Sequence, residues 1–320
     1  MPRSIPRLRI VGVTTRAALL FGGLALALSL FVSHLVFAED DGSVWSATRQ
    51  WSTAEEERYA EWIENEVDED FFLRYEIPTD CADAVYALRF IFARIRHLPQ
   101  GVHSAYGTTF GNWRRDYDNL PRHEQWHRDK RFLRALRTVT NDFALVRCLV
   151  ADAHPTRIWP EHGFLHAGTL LTSPDHAALV LSVDRSRFFP IQCVYSTLPP
   201  KTRSLIRVNY GDELTSRQEG FGVLNWNWWR VNADTGKYEM VPDEEMPGFS
   251  EEQYHPGIML GDYRKHLLEP HFINGEIVHY RWADARFQPS LQGFRPVRAQ
   301  TEPAVGCLLY SVNNEFHYLG

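Results

Sequence analysis

Between residues 53 and 98 apolar positions recur every three or four residues, whereas from about 143 to 196 they fall in short runs or in alternation. The first pattern predicts helices and the second strands. In "SATRQWSTAEEERYAEWIENEV", Tyr59, Trp62, Ile63 and Val67 share one helical face. Ser52 or Thr53 can cap that helix, and Glu55 to Glu57 suit its positive end. In "IPTDCADAVYALRFIFARIRHLP", residues 77–99, Val85, Leu88, Ile91, Phe92 and Ile95 mark an amphipathic helix. Thr79 or Asp80 can cap it, and His97, Leu98 and Pro99 end it.

Residues 101–119 read as loop, and "HEQWHRDKRFLRALRTVTNDF" as helical over its second half. "FALVRCLVAD", "HAGTLLTS", "HAALVLSVD" and "FFPIQCVYST" read as strands separated by Pro, Asp, Ser and Gly. "FGVLNWNWWRVNADTGKYEMVP" predicts a hairpin turning at "NADTG", "SEEQY" a capping box from Ser250 to Gln253, and "HLLEPHFINGEIVHYRWADARF" more helix. Helices followed by a run of short strands predict an α+β domain with a mostly antiparallel sheet. The expected division is residues 1–38, 39–210 and a Trp-rich region 211–320, which either extends the same domain or forms a small second one.

Composition adds a compartment. The chain has 320 residues, 44% hydrophobic and 23% charged, enough for one large or two ordinary domains. A net charge of −6 offers no electrostatic footprint for nucleic acid. Arg3, Arg7, Arg9 and Arg16 precede "AALLFGGLALALSLFVSHLVFA", residues 17–38, which holds no Asp, Glu, Lys or Arg. Val36 and Ala38 are the small residues a signal peptidase reads, so cleavage after Ala38 is expected. The run is also long enough to cross a bilayer, and an uncleaved inner-membrane anchor is the alternative. Either way the remainder is expected outside that membrane, periplasmic or extracellular.

An export compartment permits disulfides, and Cys81, Cys148, Cys193 and Cys307 allow three pairings. Cys148 and Cys193 lie in apolar runs, where cysteine behaves as a small hydrophobe. Cys81 is different because it heads a helix, where unpaired N–H groups favour a thiolate. A histidine must take its proton, and His176 opens the strand "DHAALVLSV". Asp80 reads as a cap. Helix-borne Cys, strand-borne His and a further strand carrying polar groups resemble the papain-like superfamily, in its bacterial cell-wall endopeptidase and transglutaminase-like branches. The resemblance covers about residues 70–200. It implies a papain-like core, helices packed on the sheet, and an amide or peptide substrate such as a peptidoglycan stem. It also implies Cys81 as nucleophile, His176 as base, and Gln192 or Ser196 of "PIQCVYST" as the group that orients the ring, with Asp184 a further candidate. The third position departs from the usual Asp, Asn or His. This chemistry requires no metal or organic cofactor.

Two motifs compete. His123, Glu124 and His127 spell H-E-x-x-H, which on a helix would set two imidazoles on one face for zinc; charged neighbours and the missing third ligand speak against it. His154, His162 and His166 have no ligand spacing and read as loop polarity. Trp226, Trp228 and Trp229 either fill the core face of a sheet or stack on sugar rings, the latter implying an exported glycan-binding protein without catalysis.

Overall fold

The computed structural model describes residues 41–158, 163–184, 191–210 and 220–254, and beyond them only the backbone of four short strands between 271 and 297. The apolar run 17–38, His162 and Cys307 lie outside the described residues. Among the described residues no helix is long and apolar enough to cross a membrane.

The helix α1 spans Thr53–Glu66, and Ser52 caps it by accepting from the Glu55 N–H. Its Tyr59, Ile63 and Val67 are buried as the periodicity predicts. A single turn, α2 (Phe71–Arg74), leads to α3, Cys81–Arg96. Asp80 and Asp83 form a reciprocal capping box at the head of α3, and His97 at φ 56° ends it in the left-handed region. The expected amphipathic helix is instead buried all round: every residue from Cys81 to Arg94 is buried, and Ile95, expected on the apolar face, is 40% exposed. The sheet takes one side of α3, while α1, the 44–51 segment and the helix after residue 130 take the others.

Burial of the polar side of α3 is offset by pairing. Arg89 is 0% exposed, donates to Glu56 through two bonds of 2.9 and 2.5 Å, and lies 3.5 Å over the Trp51 ring. Arg94 pairs with buried Asp129 at 2.8 Å. Each guanidinium is held by a carboxylate because a buried charge without one is costly.

Residues 101–119 are not all loop: β1 (Gly101–His103) and β2 (Thr109–Gly111) form a small antiparallel hairpin. A Cβ on Gly111 would meet the Trp113 ring at 2.2 Å, so glycine lets the indole lie flat on this hairpin. After α4 (Lys130–Thr138) the expected strand "FALVRCLVAD" is a 3-10 turn and the short helix α5 (Leu149–Asp152). Its apolar run serves burial without sheet pairing, an ambiguity inherent in short runs.

The main sheet has six strands: β3 (Ala153–Pro155), β4 (Leu170–Ser173), β5 (His176–Val183), β6 (Ile191–Tyr195), β7 (Ile206–Tyr210) and β8 (Gly222–Trp226). They lie in the order β3-β8-β4-β5-β6-β7, with antiparallel pairing throughout. Thus the α+β, antiparallel reading holds. Because β8 sits between β3 and β4, residues 222–226 are internal to the sheet built by the 153–210 segment. The "NADTG" hairpin is present as β9 (Trp229–Val231) and β10 (Tyr238–Met240).

Two C-terminal expectations are corrected. "SEEQY" makes a 3-10 turn in which the Gln253 amide bonds both the N–H and the carbonyl of Val223 and closes no capping box. Residues expected as helix beyond 266 include the strand pair β11 (His271–Ile273) and β12 (Glu276–Val278), and β13 (Arg286–Ser290) pairs with β14 (Gly293–Val297). The Asn-Gly dipeptide at 274–275 is a hairpin signal that outweighs the helical reading there.

Candidate active site

Cys81 occupies the first position of α3, 7% exposed. α3 packs on β5, and the backbone N–H groups of Ala177, the residue after His176, and of Cys81 and Ala82 lie near enough to the sulfur to bear on its pKa. These donors lower the thiol pKa, but burial raises it more and Asp80 adds to the rise, leaving the thiol protonated at neutral pH. Cys81, Cys148 and Cys193 are all free and buried.

His176 leaves the Pro174-Asp175 turn as the first residue of β5, half-buried, with its ring edge-on to Tyr195 at 4.6 Å. Burial lowers its pKa, against the opposing pull of Asp175 and Asp80, so the imidazole is neutral at rest. Among the described residues no hydrogen bond joins His176 to Cys81 or fixes either ring nitrogen. The fold therefore brings the head of α3 near the start of β5, with the His176 ring packed on Tyr195. A neutral thiol beside a neutral imidazole can react only by passing its proton as the sulfur attacks.

The proposed orienting residues are elsewhere. Gln192 pairs with Ser182 across the β5–β6 ladder, and its amide bonds Asn209 and Arg207. Six residues of strand separate Ser182 from His176, roughly 20 Å. Asp184 follows the same distal end of β5. Ser196 is close to the thiol helix but donates at 2.8 Å to the Thr79 carbonyl, two residues before Cys81. With the Thr79–Lys201 bridge, this bond fixes the entry into α3. The residue that touches the ring is Tyr195, whose position diagonal to His176 is legible only once the register is known.

The H-E-x-x-H stretch is not helical. His123 accepts the Gln125 N–H through Nδ1, Gln125 is extended, and only Trp126–Arg128 make a 3-10 turn. The two imidazoles thus do not share a helix face, and among the described residues no group of three His, Cys, Asp or Glu is disposed to hold a metal.

A second histidine site went unread in the sequence. His103 on β1 bonds Asp152 through Nδ1 at 2.7 Å and through its backbone N–H, while Tyr86 donates to the same carboxylate at 2.7 Å. Asp152 is 3% exposed and burial raises its pKa, opposed by these bonds; the Asp152 bond in turn raises that of His103. No local motif links residues 86, 103 and 152. His154 also departs from loop polarity: it is 1% exposed within β3.

The tryptophans divide. Trp226 is core, 3% exposed and edge-on to Tyr86 at 5.2 Å. Trp228 is half-buried and donates to Glu56 at 2.7 Å, and Trp229 packs on Trp113 and His103. Comparison of the chain with protein-family models, curated proteins and solved structures found no match.

Proposed function

We propose that the protein is an exported thiol hydrolase or acyltransferase acting on an amide bond, with Cys81 as nucleophile and His176 as its base. The observation that carries this reading is the packing of α3 on β5, which brings the head of the Cys81 helix near the start of the strand that His176 opens, the Ala177 N–H lowering the thiol pKa. His176 turns towards the sulfur when substrate enters, takes the thiol proton as sulfur attacks the carbonyl, and returns it to the leaving amine. The N–H of Cys81, at the unpaired end of the helix, stabilises the oxyanion. Tyr195 limits the rotation of the ring. A papain-like arrangement of helix and sheet is part of this proposal, as are the peptidoglycan-like substrate and export through residues 17–38.

An activated ester tests it. p-Nitrophenyl acetate should acylate Cys81 selectively, scored by mass spectrometry at each cysteine, and Cys81→Ala should abolish the burst of nitrophenolate. Acylation of Cys148 or Cys193 as fast as Cys81 would remove the nucleophile from the reading.

A further inference from the structure

Between α1 and the β3–β8 side of the sheet, Trp226 and Trp228 wall a cavity of about 370 Å³. A second cavity, of about 550 Å³, lies where the end of α1, α2, the last turn of α3 and residues 124–127 meet. Its size is that of small-molecule sites, roughly 300–1,000 Å³. Arg94 and Ile95 line it, so it sits at the far end of α3 from Cys81, roughly 20 Å along the helix. The non-helical H-E-x-x-H stretch contributes Glu124, Gln125, Trp126 and His127 to its walls.

Aromatic rings form much of this second cavity. Trp126 stacks on Phe71 at 6.2 Å and meets Tyr75 at 4.6 Å, while Tyr75 and Trp62 are half-buried. Trp126 is 8% exposed, yet among the described residues no hydrogen bond engages its indole N–H. Buried Trp45 and Trp51 spend theirs on the Leu98 and Pro99 carbonyls, and the unpartnered Trp226 Nε1 is sealed from solvent, as Trp126 Nε1 is not. The Trp126 N–H therefore opens onto the cavity that its ring lines, where a ligand can accept from it. Other groups are open as well. Arg74 gives one N–H to Asp68 at 2.8 Å and has further N–H groups to offer. The Gln125 amide and the His127 ring are without partners among the described residues, and the exposed carboxylates of Glu66 and Glu124 have no ion pair there.

Donors and acceptors are thus mixed around the rings, and charges of both signs leave no dominant field. A carboxylate ligand meets Glu66 and Glu124, an ammonium meets Arg74, and a purely apolar ligand leaves the Trp126 N–H unpaired. A pyranose suits all of these groups, because each hydroxyl both donates and accepts while the C–H face of the ring is apolar. We propose that this cavity binds a neutral glycan segment of one or two pyranose rings, its C–H faces on Trp62 and Tyr75 and one of its oxygens accepting from Trp126 Nε1. The site does not rest on the thiol reading.

Cellotriose and triacetylchitotriose can be titrated into the full-length chain in a polyoxyethylene detergent, which carries no sugar, and followed by calorimetry and by the indole N–H resonances. A neutral trisaccharide should bind and shift the Trp126 indole signal while leaving that of Trp228 in place. Trigalacturonate and N-trimethylated chitotriose, an anion and a cation of the same length, should bind severalfold more weakly. Tyr75→Ala should abolish binding. Because Tyr75 also packs on Phe71, Gln125→Ala in the exposed extended segment tests the same site without touching the core, and should weaken the neutral sugar about threefold to tenfold, the worth of one hydrogen bond. No shift of Trp126 with either neutral sugar, a charged trimer bound as tightly as the neutral ones, or full affinity in Gln125→Ala would each overturn the proposal. Acylation of Cys81 is measured separately and does not bear on it.

Discussion

His176 and His103 sit in opposite environments. His103 is held by a buried carboxylate in the manner expected of a catalytic imidazole, yet the Asp152 cluster that holds it also ties down Tyr86 and the β1 backbone. Among the described residues His176 has no hydrogen-bonded orienter, yet it begins the strand on which the Cys81 helix packs. The Asp152 cluster joins α3, β1 and α5 as a structural joint does, and the proposed base is the histidine outside it.

Four measurements break or sharpen this contrast. The largest effect is expected from His176→Ala, which should slow acylation of Cys81 by 10²- to 10⁴-fold, about the worth of a general base, while His103→Ala leaves it within about twofold. If His103→Ala were the more damaging, the roles of the two histidines would be reversed. Next, Asp152→Ala should cost about 3 kcal/mol in urea unfolding, because it leaves the buried Tyr86 hydroxyl and the half-buried His103 N–H groups without their partner, and should spare the acylation rate.

The third measurement follows the two rings by NMR. His103 should titrate above the usual 6.5 and His176 below it, as their causes dictate. In Asp152→Asn, His103 should fall, since burial alone then acts on it. The signs for stability follow. The raised pKa of His103 contributes stability that is fully present below about pH 6.5 and lost as pH rises through its folded value. The lowered pKa of His176 acts the other way: stability is lost as pH falls from about 6.5 through its folded value. Smallest is Asp80→Ala, which removes the α3 cap for about 1 kcal/mol, while Asp80→Asn keeps the cap and costs a few tenths.

Legibility followed the range of the interaction. The cap of α1, the capped start of α3, the β9–β10 turn and the strands β4 to β6 rest on neighbours within a few residues, and they are visible in the pattern. The pairing of β8 between β3 and β4 joins residues 50 to 73 apart, so the local pattern leaves open whether residues beyond 210 extend the same domain, and the sheet continues past that point. Gln192 lies on the strand that follows His176, which in sequence makes it a candidate partner. The antiparallel register places it at the wrong end. The H-E-x-x-H stretch failed for a local reason, since Gln125 is extended and breaks the helix that the spacing requires.

The sequence by itself determined the class of the fold, the helix that carries Cys81 and the strand that His176 opens, because periodicity and capping are properties of short segments. Only the tertiary structure decided that α3 is buried on every side, that Arg89 finds Glu56, that Asp152 gathers Tyr86 and His103, and that Trp226 and Trp228 enclose a cavity against α1. Each of these depends on which distant segments share one interior, where an unpaired charge or polar group is too costly to keep. The chemistry near Cys81 is divided in the same way: the helix end is written in "TDCADAV", and its nearness to β5 is a property of the sheet.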